Sequence, residues 1–267
     1  MKIMTVGVMA LLLISGSAVA QSTEADISAR LMGKPLQLRG FWMDDQLQFN
    51  AGGVPVGKAT EGSFTESAFD VKKISLEGDH LRIEGQRVGL EFDRDGAVTR
   101  IPLFRKGVFH KSPETIVIEI DGQGNPDFSK ELDAIFAGSL AELAPSLRPY
   151  WQPFAQKHFL NIDPPAEPLA PGVKKIGGTV KPPKVLHSTD PSFSDSAREN
   201  KLSGPVFINL VVNEQGDPEH IVIARPLGLG LDEHAIAAIL QYKFLPATRD
   251  GVPVKVELTV AVNFQIF

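Results

Sequence analysis

The chain has 267 residues, a net charge of −5, 43% hydrophobic and 22% charged residues, and no cysteine. This is the composition of a folded globular protein long enough for two domains. Interspersed charges leave no basic footprint for nucleic acid. The lack of cysteine excludes disulfides, thiolate metal sites, a cysteine nucleophile and lipid attachment at cysteine.

Residues 1–20 read as a cleaved secretory signal. Lys2 is the charged start, residues 6–14 form the apolar core, and Ala18, Val19 and Ala20 fit the small-x-small cleavage pattern before Gln21. The expected mature chain is periplasmic and envelope-associated. An uncleaved anchor is the alternative, but Gly7, Ser15, Gly16 and Ser17 leave the apolar run short of the ~20 residues of a spanning helix. No later stretch is apolar enough to span.

Residues 21–163 are expected to form one β-rich domain. Short alternating runs occur at residues 36–39, 46–49, 69–76, 81–83, 88–92, 98–103 and 115–120. Turn signals separate them at Asp44-Asp45, Gly52-Gly53, Glu77-Gly78-Asp79 and Asp93-Arg94-Asp95-Gly96. That spacing predicts an antiparallel meander, as a small sandwich or barrel. Leu132, Ile135, Phe136, Leu140 and Leu143 then form one helical stripe that Pro145 ends. The stretch containing Tyr150, Trp151, Pro153 and Phe154 is expected to pack back on the sheet. Pro164, Pro165, Pro168, Pro171, Pro182 and Pro183 make residues 164–183 a stiff, extended linker.

Residues 184–267 alternate strand and helix patterns. A short helix opens at residues 191–197, residues 204–213 (GPVFINLVVN) form a strand, and a turn at residues 214–216 leads to a strand at 220–225. Residues 231–242 have helical spacing, and residues 244–247 (FLPA) break it. The last strand spans residues 254–264. Val254, Val256, Leu258, Val260, Val262 and Phe264 face the helices, while Lys255, Glu257, Thr259, Ala261 and Asn263 face away. The overall class is α+β, with this unit a two-layer domain of three strands and two helices. Phe207 and Val211 lie opposite their strand's inward set, so they are either an exposed docking patch or covered by another element.

Candidate chemistry is sparse. Residues 52–58 (GGVPVGK) nearly match a phosphate loop, but Ala59 replaces the hydroxyl residue that would hold magnesium, and no buried strand and helix flank it. Residues 121–127 (DGQGNPD) resemble a calcium loop, yet Pro126 and Leu132 occupy the positions of its glycine and glutamate. His187, His220 and His234 lack zinc spacing. Asp232, Glu233 and His234 point in different directions from consecutive helix positions, which reads as a solvated helix start. No nucleophile elbow occurs. An enzyme is not expected, nor any cofactor or metal.

The order of pieces in the C-terminal unit resembles the C-terminal domain of the TonB family. The residues that carry the resemblance are Pro191 and Phe193, Ala197, Gly204 and Val206, Gly216, Leu231 and Asp232, Tyr242, Phe244, Pro246 and Ala247, Gly251, Pro253 and Val254, and Asn263 and Phe264. Tyr242 stands where tryptophan is commoner. The resemblance covers about a third of the chain and implies a non-enzymatic energy transducer for transport across the outer membrane. Its implied partner is the extended N-terminal segment of a TonB-dependent outer-membrane transporter, captured by strand addition to an exposed sheet edge. The implied partner-binding residues are Ser188, Thr189, Asp190, Pro191, Ser192 and Phe193, together with Val254, Lys255, Val256, Glu257, Leu258, Thr259, Val260, Ala261, Val262, Asn263 and Phe264. The same edge also offers a second copy of the chain a place to pair.

Two departures bear on coupling to a proton-driven motor. Family members that couple keep an N-terminal anchor with a functional histidine, and residues 1–20 here have none. A folded unit also replaces their long proline-rich spacer. The alternative function is therefore a cell-envelope adaptor or assembly protein with no transport role. Mass analysis of protein purified from the envelope is expected to show a chain that begins at Gln21. An intact Met1 in a membrane fraction would contradict cleavage.

Overall fold

A computed structural model of the chain describes residues 22–106, 111–125, 127–163 and 170–266. The expected signal, Pro126 and the first part of the proline-rich run (residues 164–169) lie outside the described residues.

The N-terminal unit opens with helix α1 (Glu24–Leu31), which the apolar pattern did not indicate. A reciprocal cap starts it. The Thr23 hydroxyl accepts the Asp26 N–H at 3.1 Å, and the Asp26 carboxylate accepts the Thr23 N–H at 3.1 Å. The strands that follow are β1 (Leu36–Leu38), β2 (Gln46–Phe49), β3 (Pro55–Val56), β4 (Ala68–Glu77), β5 (His80–Phe92), β6 (Val98–Pro102), β7 (Phe104–Lys106), β8 (Lys111–Pro113), β9 (Thr115–Asp121) and β10 (Phe136–Ala137). Eight of them form one sheet in the order β10-β1-β4-β5-β9-β2-β3, with β6 also on β5; β7 and β8 pair separately. All pairings are antiparallel except β2 with β9, which run parallel. The phosphate-loop look-alike is the turn between β2 and β3, where the Asn50 side chain accepts the Gly52 and Val54 N–H groups.

Two expectations change for identifiable reasons. The runs at 81–83 and 88–92 are a single strand, β5, which continues through Gly85 and Gly89. A Cβ at Gly85 would lie 2.5 Å from the Asp70 carbonyl and the Phe69 ring, and one at Gly89 would lie 2.2 Å from Leu229. These glycines mark close approach rather than turns. The stripe from Leu132 to Leu143 is not one helix. Helix α2 (Ser129–Ile135) stops where Phe136 and Ala137 pair with β1, and α3 (Leu140–Leu143) restarts under a Ser139 cap on the Glu142 N–H at 3.2 Å. A tight turn at Pro149–Trp151 leads to α4 (Gln152–His158).

The C-terminal unit contains β11 (Val180–Lys181), β12 (Lys184–His187), α5 (Asp195–Glu199), β13 (Gly204–Val212), β14 (Pro218–Arg225), α6 (Leu231–Ile239), β15 (Lys243–Leu245), β16 (Ala247–Arg249), β17 (Val252–Val254) and β18 (Val256–Phe264). Its main sheet has the order β14-β13-β18, with small β11-β16-β17 and β12-β15 ribbons beside it. The α+β class expected from sequence is what is found. Val206, Ile208, Leu210 and Val212 are buried in a common core with Leu231, Ala235 and Ile239 of α6. On the opposite face Val211 is buried, and Phe207 lies under the Arg225 guanidinium at 3.7 Å. Phe207 is half-buried there and Val211 is buried, so the two do not form an exposed apolar patch.

The two units share a core that includes Phe64, Phe92, Trp151 and Phe154 on one side and Ile223, Leu229 and Leu231 on the other. The described end of the proline-rich run belongs to the C-terminal unit: Ala170 is buried and β11 pairs with β16. The seam between the units is made by backbone. Phe92 N–H donates to the Leu227 carbonyl at 3.0 Å, and Leu229 N–H donates to the Leu90 carbonyl at 3.0 Å. Gly228 sits at φ +100°, and a Cβ there would lie 2.0 Å from the Leu90 carbonyl oxygen. Only glycine admits that contact.

Three carboxylates crowd this seam. Asp232, expected to be solvated, is 0% exposed and accepts the Leu227 and Gly228 N–H groups at 2.9 and 2.8 Å. Glu233 accepts from the Trp151 indole at 2.9 Å and from the Ser63 hydroxyl at 2.8 Å. Glu66 accepts from the Ser196 hydroxyl. The N-terminal unit covers the start of α6, which is why the solvated reading fails. Burial pushes the Glu66 carboxyl up to about 7 and also raises Asp232 and Glu233.

The sign follows from linkage. Glu66 holds its proton more tightly folded (about 7) than at its ordinary value of 4.5. Its contribution to stability is therefore complete below pH 4.5 and is lost as pH rises through 7. Relative to the natural chain, Glu66→Gln is expected to gain stability between pH 5 and pH 8, by up to about 3 kcal/mol. Thermal melts of both proteins across that range check this, and a constant difference would contradict it.

Candidate partner-binding edge

The expected docking residues come from two places in the chain. Residues 188–193 run without regular structure between β12 and α5. Ser188, Asp190 and Ser192 are exposed, while Thr189, Pro191 and Phe193 are half-buried. The Ser192 hydroxyl lies 2.7 Å from His234 Nδ1 on α6. Asp190 is near enough to Tyr242 for its charge to raise that phenol, after burial, which is the larger cause. Phe193 meets Phe264 edge-to-face at 5.3 Å, so the segment and the end of the last strand converge.

The run from Val254 to Phe264 is not one strand. Val254 ends β17, opposite Ala247, and Val256 begins β18, opposite Val212. Lys255 is the joint where the chain leaves one partner for another. From Val256 to Phe264 the register with β13 is unbroken. Val256, Val262 and Phe264 are buried and Leu258 and Val260 half-buried, whereas Thr259, Ala261 and Asn263 are exposed, as the alternation requires.

One hydrogen bond settles which backbone groups face the open side. The Lys255 carbonyl accepts the Lys174 N–H at 2.8 Å, on the side of β18 away from β13. Backbone N–H and C=O directions alternate along a strand. Glu257, Thr259, Ala261 and Asn263 therefore point their N–H and C=O outward, and Val256, Leu258, Val260, Val262 and Phe264 point theirs to β13. Pro205 agrees with this phase. It has no N–H to give and stands opposite Asn263, in a pair that needs none.

The two outer strands of the sheet differ. The pairing of β14 with β13 shifts register between Phe207 and Ile208 and again between Asn209 and Val211, and His220 sits at φ +49°. Helix α4 and the turn Pro149–Trp151 pack against β14. Such irregularity and cover are how proteins blunt a sheet edge. β18 carries neither proline nor lysine, and Glu257 is its sole charged residue. Its outer side meets Lys174 at Val256; among the described residues no strand pairs with the rest.

The edge is mostly uncharged. The Thr259 hydroxyl donates to the Asn209 side chain at 2.7 Å, and Lys255 pairs with Glu219 at 3.5 Å. Among the described residues no group of histidine or carboxylate side chains has metal-site geometry, and no helix is long and apolar enough to cross a membrane. Sequence reasoning missed Lys174. Its only signal is the bracketing of residues 173–176 by Gly172 and Gly177 inside a proline-rich run.

Comparison with known proteins supports the reading of this unit. Residues 189–266 match the family model for the Gram-negative bacterial TonB protein C-terminal region. The chain is also 30% identical over 87 residues to Protein TonB of Vibrio cholerae serotype O1, covering 32% of this chain and 36% of that protein. The chain thus spans about a third of the length of that relative. Residues 189–266 are a TonB-family C-terminal domain, carried here behind a β-rich N-terminal unit.

Proposed function

We propose that this chain is a periplasmic, non-enzymatic TonB-like protein that supports energy-coupled transport across the outer membrane. It captures an extended segment of a transporter by adding it as a strand to β18. The observation that carries the reading is the unbroken, uncharged outer side of this strand beyond Glu257. An edge left in this state pairs readily with another chain, and the family to which residues 189–266 belong gives the partner class. Ser188, Thr189, Asp190, Pro191, Ser192 and Phe193 flank the far end of the edge, through the Phe193–Phe264 contact.

One observation favours a second reading. The N-terminal unit is fused to the module through a common core instead of standing off on a long spacer. A module held in that way suits an envelope adaptor that joins two partners without carrying force. Under that reading transporter segments do not bind.

The test compares two prolines by titration calorimetry against synthetic peptides copying the N-terminal segments of outer-membrane transporters. Ala261 directs its N–H outward and its side chain is exposed, so Ala261→Pro is expected to lower affinity at least tenfold with circular dichroism unchanged. Val260 directs its N–H to β13, so Val260→Pro is expected to cost about 3 kcal/mol of folding stability. Natural affinity in a folded Ala261→Pro protein would refute docking at this edge.

A further inference from the structure

The first rung of the open edge is already occupied by the chain itself. Lys174 is bridged in parallel to Val256, with its N–H on the Lys255 carbonyl at 2.8 Å. This contact is fastened on both flanks. On one side Ala170 is 5% exposed and packed into the fold. On the other, Gly177 and Val180 exchange two backbone hydrogen bonds at 3.0 and 3.1 Å, and Val180 then enters β11 against β16. A segment tied at both ends loses little entropy on holding the bridge between them. Beyond the bridge the outward groups of Thr259, Ala261 and Asn263 have no strand beside them among the described residues.

We infer that the backbone at Lys174 is a stop built into the docking edge. It fills the rung between Lys255 and Glu257 and confines an added strand to Thr259, Ala261 and Asn263. This rests on the strand-addition reading and adds to it the register and length of the partner. The remaining edge runs for about 13 Å at the usual strand rise. It fits an extended stretch of about five residues, with backbone bonds at three outward positions and none at Glu257. The stop also gives the edge a polarity. A partner chain is blocked at the Val256 end and free to continue past Phe264, where Phe193 packs on that ring. A longer extended segment gains no further backbone bonds in the Lys255 direction, so residues added on that side do not raise affinity.

The natural chain has no cysteine, so single cysteines map the edge cleanly. Glu257, Thr259, Ala261 and Asn263 share one side of the strand and are each replaced by cysteine in the full chain. The probe is a synthetic peptide copying the N-terminal segment of an outer-membrane transporter of the same organism, carrying one cysteine. Disulfide yields are compared under mild oxidation. High yields are expected at 259, 261 and 263, with the yield at 257 at least tenfold lower. Lys174→Pro removes the N–H that holds the bridge and is expected to raise the 257 yield at least tenfold, leaving that at 261 as it was. Equal yields at 257 and 259 in the natural background would overturn the stop while leaving strand addition standing. So would a 257 yield that does not respond to Lys174→Pro. No disulfide at any of the four positions, with a peptide that binds, would overturn strand addition and the stop with it.

Discussion

The structure hangs on a short stretch of backbone at residues 227–231, where the C-terminal module meets the end of β5. The pair of hydrogen bonds linking Leu90 and Phe92 to Leu227 and Leu229 continues the ladder of one unit into the other. That approach requires glycine at 228, because any Cβ would run into the Leu90 carbonyl. Gly230 is also close, its N–H on the Thr65 hydroxyl at 2.8 Å, and a Cβ there would lie 2.6 Å from the Glu66 carboxylate. With the backbones this close, Leu229 and Trp151 bury fully, Asp232 and Glu66 are drawn out of water, and Glu233 is half-buried. Their carboxyls are tolerated because each accepts hydrogen bonds from across or beside the seam. Burial favours protonation there, and those hydrogen bonds oppose it.

The seam also decides which edge of the C-terminal sheet stays open. It brings α4 and the turn Pro149–Trp151 against β14, the strand that is also bulged. The opposite strand, β18, is straight in register and nearly free of charge. Soluble proteins rarely leave such an edge bare, since it invites pairing with any extended chain. Here residue 174 covers the beginning, and among the described residues no strand pairs with the remainder. The N-terminal unit packs on β14, and among the described residues β18 is the outer strand of this sheet without such cover beyond Val256.

Much of this was legible in the sequence, and what was not has physical causes. The alternation from Val256 to Phe264, the glycine turn at Gly216 and the helix beginning at Leu231 are local patterns, and they appear where expected. The strands of the N-terminal unit also matched their runs, with β2 found at residues 46–49 as read. Failures occurred where tertiary contact overrides local signal. The runs at 81–83 and 88–92 read as two strands, yet Gly85 between them lies where Phe69 and Asp70 pack closely on one continuous β5. Phe136 continued a helical stripe, yet it serves β1 as a strand partner. Asp232 and Glu233 looked like an exposed helix start because nothing local to α6 announces a covering unit whose contacts with Glu233 come from 82 and 170 residues earlier in the chain. Lys174 was invisible as a site residue for a related reason: it acts through its backbone, which carries no sequence signature. The β2–β9 pairing is parallel and joins strands far apart in the chain, so no hairpin pattern pointed to it.

The central claim is that the outward backbone of β18 is the surface a partner strand takes. Amide hydrogen exchange, read residue by residue by NMR on the full chain with and without a transporter N-terminal peptide, tests it most directly. The expected result is at least tenfold slower exchange at Thr259, Ala261 and Asn263 in the presence of the peptide, with the amides of β14 unchanged. Protection that appears along β14, or nowhere in the sheet while the peptide is bound, would contradict the account.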